Sequence, residues 1–242
     1  MHPILFSFGP FHLYSYGLML AIGFLAAMAF AERQAQAAKL DPQKIQTLGL
    51  VSLIAGLVGA RIGYILLNLP FFMDQPAEIF RVDHGGLVFY AGLLAGVAAG
   101  IFQIRKSKLP LWVTLDLMIP SVVLAHAFGR VGCFLNGCCY GKPSTLPWVV
   151  RFPGDLVARY PTQLYEVAAL LAIFFLLRRV GGRSTRPGTV VLIYGLAYGT
   201  WRFFVEFLRG DNPIVGGGLT VFQWWSILLV LVCGLILQFR RR

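Results

Sequence analysis

The chain has 242 residues, 57% of them hydrophobic, with a mean hydropathy of +0.72 and a net charge of +11. Soluble domains are about 45–50% apolar, so the composition excludes an ordinary soluble protein and indicates a polytopic membrane protein, 1–242 as a single integral domain. The basic residues sit in short clusters between apolar runs, which excludes a nucleic-acid partner and leaves them to set orientation in the bilayer.

Residues 1–12, with Pro3, Gly9 and Pro10, read as a short interfacial segment. No basic n-region or small-residue cleavage site precedes the first apolar run, so the first span is expected to insert the chain itself. Spans of about 20 residues are predicted seven times, giving an all-α bundle. They fall near 13–31, 47–67, 86–104, 111–128, 161–178, 188–207 and 220–238. Tyr14, Tyr16 and Trp112 are placed as interfacial anchors.

Alternate connections differ in charge. One set holds Arg33, Lys39, Lys44, Arg105, Lys106, Lys108, Arg178, Arg179, Arg183, Arg186, Arg240, Arg241 and Arg242. The other holds only Arg81, Lys142, Arg151, Arg159 and Arg209. The first set is cytoplasmic by the positive-inside rule, which puts the amino terminus outside and the carboxyl terminus inside. An odd number of spans requires the same. The outer connections, 68–85 and 129–160, are expected to form a small extracytoplasmic cap and the site. The first carries Pro70, Pro76, Asp74, Glu78 and Asp83.

The densest polar stretch is Gly129-Arg130-Val131-Gly132-Cys133-Phe134-Leu135-Asn136-Gly137-Cys138-Cys139-Tyr140-Gly141. Backbone that leaves a helix at membrane depth must find partners in protein or in a wet cavity. Such a stretch builds a site, or else a tight interhelical turn with Arg130 snorkelling. Cys133, Cys138, Cys139 and Cys233 lack paired C-x-x-C spacing. They read as packing residues or one reactive thiol, not as a disulfide framework or a metal site. No cofactor is expected.

Arg61, Arg130, Glu166, Arg202 and Glu206 are ionisable residues inside spans or at their outer ends. Charges at that depth invite a functional reading with a named partner. Arg202 and Glu206 are spaced i, i+4 and share a helix face. They form a structural ion pair, or part of a cationic pocket whose surplus arginine recruits a phosphate. Asp116 is placed as a helix cap and His84 as an interface residue.

Six segments together resemble the prolipoprotein diacylglyceryl transferases. Gly129–Gly141 resembles their G-R-x-G-N-F-x-N-G-E-x-x-G signature in a cysteine-rich form. Tyr16-Gly17-Leu18-Met19 is similar to their first-span Y-G-L-M, and Gly59-Ala60-Arg61-Ile62-Gly63-Tyr64 to their second-span motif. Gly85–Leu93, Tyr160–Glu166 and Tyr198–Arg209 resemble three further motifs in order. The resemblance implies an enzyme of the bacterial cytoplasmic (inner) membrane. Its donor is phosphatidylglycerol, and its acceptor is the lipobox cysteine of a prolipoprotein signal peptide. The product is a diacylglyceryl thioether, and glycerol phosphate leaves.

By resemblance, Arg130 and Arg202 act on the leaving phosphate with Arg61 beside them. Tyr16, Cys133, Asn136, Gly141 and Tyr198 line the head-group site. Glu166 and Glu206 hold the arginines or carry protons. Tyr90 stands where the family often has a catalytic histidine, and a phenol with an ordinary pKa near 10 is a weaker base. Cys133, Cys138 and Tyr160 replace an asparagine, a glutamate and a histidine of the family pattern. These departures leave the base open. An anionic-lipid transporter using the same arginines, or a membrane thiol–disulfide enzyme, are the competing functions.

Overall fold

The computed structural model describes residues 1–9, 11–81, 85–183 and 186–241, the side chains of Phe11 and Arg241 apart. Pro10, Asp83, His84 and Arg242, named above from the sequence, lie outside the described residues. The chain is predominantly helical. Among the described residues, five helices are long and apolar enough to cross a membrane: Ser15–Ala37, Pro42–Leu67, Leu111–Asn136, Thr189–Leu208 and Val221–Arg240. Two more, Phe89–Lys106 and Thr162–Gly181, stand at the other two predicted positions. The architecture is of the all-α polytopic membrane type. Two compact units are distinguished, 31–114 and 1–30 with 115–242.

The order of elements begins with a hairpin, β1 (Ile4–Phe8) and β2 (Phe11–Tyr14), at the segment read as interfacial. Then come α1 (Ser15–Ala37), α2 (Pro42–Leu67), α3 (Leu69–Asp74), a 3₁₀ turn (Pro76–Phe80), α4 (Phe89–Lys106) and α5 (Leu111–Asn136). Two short strands, β3 (Val150–Arg151) and β4 (Ala158–Arg159), pair before α6 (Thr162–Gly181) and α7 (Thr189–Val205). Strands β5 (Ile214–Gly216) and β6 (Leu219–Thr220) form a third ribbon before α8 (Val221–Arg241).

In the 31–114 unit, α2 opens on Asp41, whose carboxylate accepts from the Gln43 amide at 2.9 Å, with Pro42 at the first helical position. Further along, α2 presents Gly56, Gly59 and Gly63 to Ala91, Gly92 and Ala95 of α4. A Cβ built on Gly59 would lie 2.3 Å from the Ala95 methyl, and one on Gly63 would lie 2.3 Å from that of Ala91. Lipid tails are as apolar as leucine, so helices in a bilayer associate through close backbone approach of this kind.

In the other unit, Val123 and Ala127 of α5, Leu170, Ile173, Phe174 and Leu177 of α6, and Val190 of α7 form one buried cluster. Asp116 caps a helix, but not its own. Its carboxylate on α5 accepts from the Gly188 and Val191 amides at 2.6 and 2.9 Å and so closes the start of α7. Gly188 has φ +91°, a left-handed conformation that glycine adopts without strain. α8 packs on α7 through Cys233 against Gly195 and Val230 against Gly199.

The burial pattern reverses that of a soluble protein. Ser121, Gln163, Glu166, Glu206, Gln223 and Ser226 are buried, while Leu53, Leu57, Leu228, Leu231 and Leu235 are exposed. Polar groups inside and leucine outside suit a chain whose solvent is lipid.

Two stability outcomes follow. Gly59→Leu is expected to force α2 and α4 apart, giving an aggregated profile in detergent gel filtration where wild type is monodisperse. Asp116→Ala removes a cap of about 1–2 kcal/mol, and a lowered melting temperature in detergent checks it.

Candidate active site

The polar stretch is half helix. Residues expected to open an outer connection at 129 instead continue α5 through Asn136, and the chain turns only at Gly137. The reason is local. Gly129 and Gly132 stay helical because small residues there let α1 approach. A Cβ on Gly132 would lie 3.1 Å from both the Tyr16 ring and the Met19 Cβ. The helix keeps Arg130 and Cys133 one turn apart on one face.

Arg130 reaches from α5 to α6. Its Nη2 lies 3.0 Å from Glu166 Oε1, and its Nε donates to His126 Nε2 at 3.3 Å. Tyr198 of α7 donates to the same Glu166 oxygen at 3.4 Å, and His126 Nε2 lies 3.9 Å from it. The Tyr198 ring meets His126 edge-on at 5.5 Å and stacks on Tyr194. Glu166 is 1% exposed, so one buried carboxylate joins three helices. The Arg130 side chain retains 18% exposure. A buried pair of this kind is held by geometry and added hydrogen bonds, since desolvation offsets most of the attraction.

A second centre sits at the end of α7. Arg202 Nη2 lies 2.8 Å from Glu206 Oε2, and the Phe222 ring lies 4.9 Å below the guanidinium. Asn212 Nδ2 and Thr220 Oγ1 donate to Glu206 Oε1 at 2.6 and 2.9 Å. The i, i+4 pair is therefore formed. Arg202 Nη1 is buried with no acceptor among the described residues. A buried guanidinium donor without an acceptor is costly and suits an anionic guest.

The turn after α5 brings the three cysteines together. Gly137 N donates to Phe134 O at 3.1 Å and Cys138 N to Cys133 O at 3.1 Å, the two bonds of a Schellman cap. Gly137 takes φ +75° and Cys139 φ +64°. The Cys133, Cys138 and Cys139 sulfurs all lie within 4.8 Å of one another, with 3.7 Å between Cys138 and Cys139. The linear spacing hid this, because two left-handed positions, Gly137 and Cys139, fold the chain back onto the helix end. Hydrogen bonds from Cys133 and Cys138, with the Arg209 and Arg130 charges, push the Cys139 thiol below its ordinary range despite burial.

Neighbouring motifs hold this turn. Gln163 Nε2 donates to Cys138 O at 2.6 Å, and Thr162 Oγ1 to Cys139 O at 3.0 Å. Gly141 N donates to Tyr160 O at 2.9 Å, and Lys142 N to Leu208 O at 2.8 Å. A Cβ on Gly141 would lie 2.6 Å from Leu208 O, so only glycine fits there without a shift. Thr162, Gln163 and His126 were not singled out as site residues from sequence. Their signal was present, since uncharged polar residues in an apolar span need partners. Arg209 was counted only as an outer charge. It is gripped bidentately by Asp211 at 3.0 and 2.5 Å. Burial works against its charge, and the Asp211 carboxylate outweighs burial, so its pKa rises.

Arg61 and Tyr90 belong to the 31–114 unit and are described there alone. Arg61 was expected beside the phosphate. All five of its N–H donors instead meet backbone carbonyls: Ile79, Gly85, Gly86, Glu78 and Arg81, at 2.5–3.1 Å. Tyr64 and Phe72 rings flank it. Tyr90 lies in the first turn of α4, half-exposed, with Phe89 edge-on at 5.6 Å.

The chain matches the family model described as prolipoprotein diacylglyceryl transferase over residues 3–239. It is 33% identical over 237 residues to a phosphatidylglycerol–prolipoprotein diacylglyceryl transferase of Clostridium tetani, covering 96% of this chain and 95% of that one. An enzyme of the same name from Geobacter sulfurreducens is 36% identical, over 88% of this chain and 84% of its own length. One from Bordetella parapertussis is 32% identical, over 95% and 91%. The match runs over nearly the whole chain at up to 36% identity, and the chain belongs to the prolipoprotein diacylglyceryl transferase family.

Proposed function

We propose that this protein transfers the diacylglyceryl group of phosphatidylglycerol to the lipobox cysteine of a prolipoprotein signal peptide. A thioether forms at the glyceryl carbon, the carbon–oxygen bond breaks, and glycerol phosphate leaves. The enzyme works in the bacterial inner membrane with seven spans, amino terminus outside and carboxyl terminus inside. The positive-inside count supports that orientation. By the same count the connection that follows α5 at Gly137 lies on the outer side.

The observation that carries this reading is Arg130. It is a guanidinium at the end of a membrane-length helix, fixed on one edge by buried Glu166 and still 18% exposed. The phosphate gains negative charge as the carbon–oxygen bond breaks, so a cation already in place favours the transition state over the ground state. Arg202, with its buried unpartnered Nη1, supplies a second donor. Tyr16, Asn136, Gly141, Cys133 and Tyr198 line the head-group site in our assignment. Glu166 and Glu206 orient the two arginines. Arg61 is assigned a structural role in the 31–114 unit, where it holds the carbonyls of Glu78, Ile79, Arg81, Gly85 and Gly86. The reported relatives carry a transferase's name, and none carries a transporter's.

The test uses purified protein in detergent with acyl-labelled phosphatidylglycerol and a peptide holding one lipobox cysteine. Mass spectrometry is expected to find a diacylglyceryl thioether on that cysteine. Arg130→Ala is expected to lower the rate by about 100-fold or more, the scale of losing one preorganised donor. Arg202→Lys is expected to lose most activity too, because a point charge cannot replace a planar fork. A product that forms at the wild-type rate in both variants would remove the arginines from the chemistry.

A further inference from the structure

The proposed reaction needs a thiolate. In the Gly129–Gly141 stretch this chain holds three thiols in one cluster. Their sulfurs lie within 4.8 Å of one another, two of them 3.7 Å apart. Three thiolates on a tetrahedral zinc ion, with Zn–S of about 2.3 Å, have sulfurs about 3.8 Å apart. The trio therefore needs only small side-chain movements to share one ion.

The surroundings suit such a centre. The turn that carries Cys138 and Cys139 is pinned by Gln163, Thr162 and the Leu208 carbonyl, so the donors are held rather than trailing on a loop. A divalent ion on three thiolates is an anionic complex. Arg130 and Arg209 act on this cluster with positive charge and favour that complex over free thiols. Cys133 is buried, while Cys138 and Cys139 are half-buried, so one side of the trio is reachable. Three protein ligands with an open fourth position are the pattern of a working zinc centre; a structural one is closed by four.

We infer that Cys133, Cys138 and Cys139 bind a zinc-type divalent ion whose open position takes the lipobox cysteine as a fourth thiolate. This rests on the transferase reading for the identity of the acceptor. The step balances without a redox partner. The acceptor S–H gives its proton to water as the sulfur binds, because a coordinating thiol is deprotonated outright. That sulfur forms the S–C bond at the glyceryl carbon. The C–O bond breaks, and its electron pair goes to the phosphate oxygen beside Arg130. The ion stays divalent throughout, and the thioether, a weaker ligand, leaves the open position.

The experiment has three readouts. Full-length protein in detergent is loaded with Zn²⁺, dialysed, and assayed for metal by mass spectrometry. About one ion per chain is expected in wild type and in Cys233→Ala, and less than a tenth of that in C133S/C138S/C139S. Cys138→Ser alone serves if the triple variant melts early. Next, Co²⁺ replaces Zn²⁺, and thiolate-to-cobalt absorption is followed as lipobox peptide is added. The band is expected to grow with the cysteine peptide and not with its serine analogue. Finally, chelator-stripped enzyme is assayed for the thioether, with at least a 10-fold loss expected and restored by Zn²⁺.

Zinc retention no greater than in the triple variant, or a disulfide among the three cysteines in the intact mass, overturns the site. Retention without any response of the cobalt band to the cysteine peptide overturns the fourth-ligand role. Full thioether formation by stripped enzyme overturns the inference and leaves the transferase standing. Metal binding and a peptide response with no thioether under any condition does the reverse: the centre stands and the transferase reading falls.

Discussion

The structure around the site depends on one buried carboxylate. Glu166 is 1% exposed and meets Arg130 of α5 at 3.0 Å and Tyr198 of α7 at 3.4 Å. An uncompensated charge at that depth would cost several kcal/mol. The carboxylate therefore fixes where the helices sit as much as the helices fix it. The same contact settles the direction of Arg130, with His126 accepting from its Nε. Stability and function are coupled at this point, because the interaction that joins α5, α6 and α7 also orients the guanidinium assigned to phosphate.

A second constraint acts on the backbone. When α5 ends at Asn136, its last carbonyls and the turn after it need partners that lipid does not provide. The Schellman cap satisfies two of them. Thr162 and Gln163 take the carbonyls of Cys139 and Cys138, and Leu208 takes the Lys142 amide. Three segments far apart in sequence thus close on one turn. The clustering of three sulfurs is a consequence of that closure.

Much of this was legible in the sequence, and the misses have physical causes. Helices formed at all seven predicted positions, because long apolar runs leave few alternatives. The Arg202–Glu206 pair followed from i, i+4 spacing. The position of the helix end did not follow. The span was expected to end near 128, whereas Gly129 and Gly132 pack against α1 and the helix runs on through Asn136. The thiol cluster was dismissed on linear spacing, which cannot register a chain reversal at Gly137 and Cys139. Arg61 looked like its fellow arginines, and only the fold shows that five carbonyls occupy it. Asp116 was placed as a cap, but it closes α7 rather than α5, a long-range choice that local sequence does not encode.

The most direct measurement of the central claim is a double-mutant cycle on the rate of thioether formation, with Arg130→Lys, Glu166→Gln and the pair together. If Glu166 acts by orienting Arg130, the double variant is expected to lose no more than the worse single one, since both changes break one unit. Losses that multiply, with the double variant slower by the product of the two, would contradict the account and make Glu166 and Arg130 independent contributors.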